Sequence, residues 1–544
     1  MEILDLFLPA TNRFATEYTA QNLNIQQHFH YSYQSLGDYQ RRLNELNNRT
    51  FMRNELVDHI AEFMNRYPSS DHVIKSLDKL RQDNSVVVIG GQQAGILTGP
   101  LYTIHKIISI VHFAKQKELE LKVPVIPVFW IAGEDHDYDE VNHIFMDKRN
   151  KLEKWTYPER VFDKRMVSDI SINKEIALSW VKEIIETLGE TEHTKNLVHM
   201  LETAIKGSDT FVDFFAFVVM ELFKDEGLLI IDSGNKQLRK LEKDIFIRQI
   251  DHASQITSEV KSQQEALHKE DFPRTIDITN QAANLFYYDE VNHERVLLEF
   301  SQDTESFSGK NGSISFTKAE LLEIASETPE KLSNNVVTRP LSQEWLFPTL
   351  AFIAGPGEIS YWAELKKSFE LFGMKMPPIV PRMNITLLER NIESDLQDLE
   401  LDLQDVLVNG TKKSINEFLG SVRDQDLNIL FTRTKEQLLS IYGEIEEKST
   451  DQYRGLLPLL KKNEALLLKQ IGFMEGKFEE ALKLKHTVVL EKFDRIDRSL
   501  KPAGAPQERM WNVLYYLNKY GLDFLNEILK LNWEFNGSHK VVKL

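Results

Sequence analysis

The 544-residue chain contains no cysteine, which excludes disulfides, thiolate-held zinc, iron–sulfur clusters and a thiol nucleophile. No apolar run reaches the ~18 residues of a membrane span. The N-terminal stretch MEILDLFLPATNRFATEYTAQ lacks the basic start and unbroken apolar core of a signal peptide. Positive charge is also short: 65 Lys+Arg stand against 83 Asp+Glu, a formal charge of -18, with no long Lys/Arg block. A field of that sign repels a phosphate backbone, so neither nucleic acid nor a membrane is an expected partner, and the expected location is the cytoplasm. Glycine and proline, 24 and 17 residues, are too few for a fibrous or low-complexity chain. What remains is an ordinary globular composition, 42% hydrophobic and 27% charged, long enough for several domains.

Residues 1 to about 80 are polar, helix-forming sequence that packs beside a core. From Ser85 the run VVVIGG reads as a strand buried on both faces and ended by a tight turn. The segment LYTIHKIISIVHFAKQ then places Ile104, Ile107, Ile108 and Val111 at helical spacing, and Val123 to Ile131 is a second strand. Strand, loop, helix and strand form a βαβ unit, hence a parallel sheet and an α/β class. GLLIID, ending at Asp232, is a third strand, followed by a long helical pattern from Lys236. The stretches at about 145–210 and 268–330 read as insertions, the second built on a hairpin of NLFYYDE and RVLLEF. VVTRPLSQ, AFIAGPGEISYW and PPIVPRM are three further strand-and-turn signals. From Ile385, apolar residues step by three or four through Leu388, Ile392, Leu396, Leu399, Leu403 and Val406, and again at Leu467–Phe478 and Val489–Leu500. Those stripes predict coiled-coil-like helices, so the core spans 1–384 and a helical domain 385–544.

Chemistry concentrates at strand ends. GGQQAGILTGPLYTIHK lies between the first strand and its helix. Its glycines let backbone N–H groups approach a ligand, and the helix start favours an anion. The candidates there are Gly91, Gln92, Gln93, Gly95, Thr98, Gly99, His105 and Lys106. It is neither a Walker A loop nor a GxGxxG turn, and the plain alternative is a tight turn with solvated glutamines. At the second strand end, Trp130 precedes Glu134, Asp135, His136 and Asp137. Carboxylates crowded with an imidazole supply a general base for an amine, bind a substrate ammonium, hold Mg2+ or Zn2+, or cap a helix. Other strand ends add Asp232, Arg339 with Gln343, and Gly357 and Glu358 with Tyr361; Arg339 suits a carboxylate or phosphate. KPAGAPQERMWN, with Lys501, Arg509 and Trp511, reads as a second nucleotide pocket or as a plain loop.

Pro100 followed by Tyr102-Thr103-Ile104-His105 resembles the Pro…HIGH element of class I aminoacyl-tRNA synthetases, with His105 matching a histidine and Ile104 in the place of the glycine. More broadly, GGQQAGILTGPLYTIHK, PVFWIAGEDHDYDEV, TRPLSQEWLFPTLAFIAGPGEISYWAEL, PPIVPRMNITLLE and PAGAPQERMWN together resemble the bacillithiol-biosynthesis cysteine-adding enzyme (cysteine ligase) family, along essentially the whole chain. That resemblance implies a Rossmann-like core with two connecting-peptide insertions and a C-terminal coiled-coil domain that forms a homodimer. It implies the last step of bacillithiol synthesis, attaching cysteine to the amine of glucosaminyl-malate. The expected scheme activates cysteine's carboxylate with ATP, with Mg2+ as a candidate companion. Gln92, Gln93 and the backbone from Gly95 to Gly99 orient the nucleotide or acyl group, and His105 and Lys106 lie near the phosphates. Glu134, Asp135, His136 and Asp137 position the amine and accept its proton, while Arg339 holds a carboxylate. Two other classes fit the same residues: a nucleotide- or metabolite-binding scaffold whose coiled coil recruits a partner, and a tRNA-charging enzyme, which the acidic balance disfavours.

Overall fold

The computed structural model describes residues 1–310 and 312–544. Internal contacts divide them into two units, Met1–Leu387 with Gln507–Leu544, and Leu388–Pro506.

In the first unit, β1 (Glu2–Leu6) precedes a helical N-terminal stretch and β2 (Val86–Gln92). β2 runs parallel to β3 (Val125–Ile131), from Val86 against Val125 to Gln92 against Ile131. Every β3 residue is buried, the pattern of a strand covered on both faces. The crossover helix Leu101–Leu121 is therefore buried over most of its circumference. β4 (His143–Lys148) and β5 (Lys151–Thr156) form a hairpin in the first insertion, and β6 (Leu229–Asp232) returns to lie parallel beside β3. The second insertion builds its own antiparallel sheet from β7 (Ala282–Asp289), β8 (Glu294–Ser301), β9 (Ser306–Gly309), β10 (Ser315–Thr317) and β11 (Leu332–Asn334), in the order β10-β9-β8-β7-β11. β12 (Thr349–Ala354) and β13 (Ile379–Pro381) complete the parallel core sheet, β13-β12-β2-β3-β6. Counted along the chain that order is 5-4-1-2-3, the doubly wound arrangement, with its reversal between β2 and β12.

Four sequence expectations change. β1 was not foreseen; it pairs with β15 (His539–Lys543), which shares a sheet with β14 (Ile385–Leu388). The helical stripe expected from Ile385 therefore begins as a strand, because Ile-Thr-Leu-Leu fits a buried strand as well as a helix face. VVTRPLSQ enters a helix, Arg339–Leu346, with Pro340 in its first turn, where the missing N–H costs nothing. The long helix expected from Lys236 is broken into Lys236–Leu241, Lys243–Asp251 and Ala253–His268. By internal contacts residues 507–544, the end of the expected helical domain, group with the first unit.

The second unit is all helix. Ile392, Leu396 and Val406 are buried with Phe493, Ile496 and Leu500 of the helix Thr487–Leu500, and Arg495 pairs with Asp395 at 2.9 Å. Helices Gln425–Ser449 and Leu457–Lys485 run antiparallel, joined by Lys435–Glu475, Tyr442–Asn463 and Glu446–Lys461. Ile429, Leu430, Leu459, Phe473 and Phe478 of this hairpin are exposed.

Candidate active site

The C-terminal ends of parallel strands share one edge, and there a cleft of about 860 Å³ opens beside the sheet's reversal. Its floor is Gly91, Gln92 and Trp130; the loops after β2, β3 and β12 and the insertion strands β7 and β8 form its walls.

Gly91 must be glycine, since a Cβ there would sit 2.6 Å from the carbonyl oxygen of Trp130. Beyond it, Leu97, Thr98 and Gly99 all take positive φ (53°, 71° and 67°), a run that costs energy at two side-chain-bearing residues. The cost is met from the far end of the chain: Asn512 Nδ2 donates to the carbonyls of Leu97 (2.8 Å) and Gly99 (2.6 Å), and Leu101 N–H donates to Trp511 O (2.8 Å). Lys106, one turn into the helix, turns its buried Nζ toward the β2 end, donating to Gly91 O (2.7 Å) and Gln92 Oε1 (3.3 Å) and pairing with Glu358 (2.5 Å). Burial lowers its pKa, against the opposing pull of Glu358. Glu358 also accepts the Gly355 N–H (2.7 Å), closing the first turn of the helix Pro356–Ala363.

The acidic loop after β3 separates into parts. Glu134 is buried, its Oε2 accepting from Arg239 Nη2 (2.5 Å) and the Asn334 N–H (3.3 Å). Arg239 also binds Glu242 (3.0 Å), whose carboxyl is pushed by burial up to about 7. Asp135 Oδ1 accepts the His136 N–H (2.8 Å), and Asp137 Oδ1 accepts the Glu140 N–H (3.3 Å), capping the turn Tyr138–Val141. Glu140 takes the Gln93 amide at 3.2 Å, and burial, with the charges of Asp135 and Asp137, raises its pKa. His136 stands beside Arg295, with Nδ1 3.5 Å from Nη1.

On the other flank of β2, Arg339 Nη2 donates to the Tyr361 hydroxyl (2.6 Å), whose pKa burial lifts to about 12. Arg382 reaches the cleft but is committed to Glu508 through two 2.7 Å bonds. Burial works to raise Glu508, yet that guanidinium outweighs it and holds the carboxyl well below its usual range. Arg509 lies over the Tyr102 ring, 6.0 Å from its centroid. Among the described residues, neither Arg339 nor Arg509 has a carboxylate partner.

Comparison with known proteins decides the family. The model for the bacillithiol biosynthesis BshC N-terminal Rossmann-like domain matches residues 1–383, and that for the BshC C-terminal coiled-coil domain matches 385–544. The chain belongs to the BshC family. Proteins named "Putative cysteine ligase BshC" from Geobacillus sp. (strain WCH70) and Geobacillus thermodenitrificans are each 44% identical to it over 542 residues, all of either chain. That of Anoxybacillus flavithermus is 41% identical over 544 residues, again end to end. The Rossmann-like core and coiled-coil domain implied by the sequence resemblance are thus those of BshC.

Of the residues singled out in the sequence, this BshC core brings Gly91, Gln92, Gln93, Lys106, Trp130, Glu134, Asp135, His136, Arg339, Gly357, Tyr361 and Arg509 to one cleft. Others lie outside its lining. Gly95, Thr98 and Gly99 form the clamped turn, of which Thr98 is fully buried. His105 points its Nδ1 at Glu508 (3.1 Å) within the core, so it does not face a ligand as the synthetase resemblance implies. Asp232 is buried on Ser168 Oγ (2.8 Å) and the Gly234 N–H (2.9 Å), with burial holding its pKa up at about 6. Gln343 is buried, and Asp137 is an exposed cap. The expected second pocket is divided: Trp511 is buried against Tyr515, Arg509 joins the main cleft, and Lys501 belongs to the other unit, where it donates to the carbonyls of Leu407 and Val408. Arg239, Glu242, Arg295, Asn334 and Glu508 escaped the sequence reading; the one available sign was an arginine opening the apolar strand RVLLEF. Among the described residues no three His, Asp or Glu side chains gather in a metal-holding arrangement, and no helix is long and apolar enough to cross a membrane.

Proposed function

We propose that this chain is a cysteine ligase of bacillithiol biosynthesis that forms an amide between the carboxyl of cysteine and the amine of glucosaminyl-malate, with ATP activating the carboxyl. The observation that carries this reading is the pairing, across the end of β2, of uncompensated guanidinium groups with a loop of carboxylates. Arg339 and Arg509 suit the anionic parts of the substrates, a malate carboxylate or a phosphate chain. Asp135 and Glu140 suit the amine and its departing proton. Glu134, taken from the sequence as a member of that set, already accepts from Arg239 and Asn334, so the role of proton acceptor falls on the other two. In the chemical step the amine nitrogen bonds to the activated acyl carbon, the carbon–oxygen bond to the phosphoryl-bearing leaving group breaks, and one proton leaves nitrogen for a carboxylate. Lys106, Gln92 and the backbone at Gly91 fix the floor on which the acyl group lies. The same reading includes a homodimer through the apolar stripe of the helical hairpin and a cytoplasmic setting.

The test is incubation with ATP, Mg2+, cysteine and glucosaminyl-malate, following the cysteinyl product by mass and the nucleotide products separately. Pyrophosphate release with product indicates an acyl adenylate, inorganic phosphate an acyl phosphate, and omission of Mg2+ reads the metal requirement. Nucleotide binding without any product would replace the ligase reading with the scaffold.

A further inference from the structure

His136 and Arg295 come from different parts of the fold. His136 follows β3 in the core, whereas Arg295 lies on β8 of the second insertion. Arg295 is buried and fixed on every side. Its Nε donates to Ser333 Oγ (2.9 Å), its Nη2 to the Asn334 carbonyl, and its guanidinium lies 3.8 Å from the Phe286 ring centroid. Burial pushes its pKa down to about 10, which still leaves it charged at neutral pH. Its remaining nitrogen, Nη1, faces His136 Nδ1 at 3.5 Å.

A guanidinium only donates hydrogen bonds, so the imidazole nitrogen facing it must present a lone pair. The proton of a neutral ring then sits on Nε2. That nitrogen has no protein partner among the described residues, and His136 lines the cleft. The other charges around the ring divide. Asp135 Oδ1, 4.0 Å from Nδ1, and Asp137 favour an imidazolium, while Lys164, from the loop whose carbonyl accepts the Arg295 N–H (3.2 Å), opposes one. Burial and Arg295 lead, and the net direction is toward the uncharged ring.

We infer that His136 acts as a neutral hydrogen-bond donor through Nε2, set in that state by Arg295, and that its N–H is aimed at the substrate acyl oxygen that gains negative charge during ligation. This inference rests on the ligase reading for its substrate, and it takes His136 out of the four residues expected from the sequence to position the amine and accept its proton. His136 transfers no proton in the step; it supports the oxygen while the amine proton goes to a carboxylate. Arg295 is a positioning residue, acting only through the histidine.

The test has two arms. In the first, 15N-histidine NMR of the full chain, with the His136 signals identified by their loss in H136Q, reports protonation and tautomer directly. The expected result is a ring more than half neutral at pH ~6.5, where an ordinary histidine is half charged, with the proton of the neutral form on Nε2. In R295Q, where burial remains but the guanidinium is gone, the ring should take up its second proton at a higher pH than in the wild type. An imidazolium or an Nδ1–H ring in the wild type overturns the inference. In the second arm, H136A should lower kcat by about 10²–10³-fold, the size expected for one lost donor to a developing oxyanion. H136Q, whose amide N–H reaches the place of Nε2–H, should recover at least about tenfold of that loss, whereas equal inactivity of H136Q and H136A overturns the donor role. Wild type that makes no product at all defeats the ligase reading, while the NMR arm still decides the state of His136.

Discussion

Arg339 and Arg382 both reach the cleft, but only one of them has charge to spare. Arg382 is spent on Glu508, whereas Arg339 donates to a phenol that burial keeps neutral. R339Q should therefore raise KM for an anionic substrate by roughly 10–100-fold, the worth of a charged hydrogen bond, while the melting temperature moves little. Steady-state kinetics beside a melting curve checks both halves. At Gly91 the constraint is steric: the Cβ of G91A would meet the Trp130 carbonyl, so the β2 end must shift. We expect a loss of about 1–3 kcal/mol in denaturant unfolding together with reduced turnover, because Lys106 donates to the Gly91 carbonyl and to Gln92 Oε1. Such residues were legible because a glycine pair ending a strand and a carboxylate cluster ending the next are local patterns. Glu508 and Arg295 were not, because their meaning lies in partners far along the chain, 403 residues away for the His105–Glu508 contact. No spacing rule encodes a bond of that kind.

Among the elements, the segment Gln507–Asn512 has the largest effect for its length. N512A removes both donors from two buried carbonyls, Leu97 and Gly99, and should cost about 1–3 kcal/mol, visible as a lower denaturant midpoint. E508Q breaks a buried ion pair with Arg382, and about 3–5 kcal/mol is at stake. The pH dependence carries a sign. Glu508 is depressed in the fold, so its contribution is complete above the ~4.5 of an ordinary glutamate and is lost as pH falls through the lower folded value. Melting temperature followed from pH about 6 downward should therefore drop more steeply in wild type than in E508Q; parallel curves would contradict this. The apolar runs that predicted β2, β3 and β6 did not reveal β14, for a physical reason. Ile385 to Leu388 are buried in a sheet completed by β15, and a fully buried strand and a helix core face make the same apolar demand over four residues.

At the scale of the whole molecule, one apolar stripe in the sequence turns out to be two different things. Ile392, Leu396 and Val406 close an internal core with Phe493, Ile496 and Leu500, while the apolar residues of the hairpin Gln425–Lys485 face outward. Periodicity reports an apolar face without saying what covers it, which is why the two looked alike. L396D should accordingly unfold the helical unit, read as a lost unfolding transition. L459E on the hairpin should instead leave that transition in place and convert a dimer to a monomer in sedimentation velocity, if the stripe joins two copies. A wild-type chain that sediments as a monomer at all concentrations would reject the homodimer.

The clamp of Asn512 on the turn after β2 also has a temporal side. The strands of the parallel sheet, the glycine turn and the carboxylate loop are all made within the first 381 residues, yet the donors that hold Leu97 and Gly99 arrive only with Asn512. A nascent chain on the ribosome thus possesses the whole floor of the cleft with its turn still unfastened. Termination between residues 381 and 512 would leave these chemistry-bearing loops present but unset, so the setting of the site waits on the synthesis of Asn512.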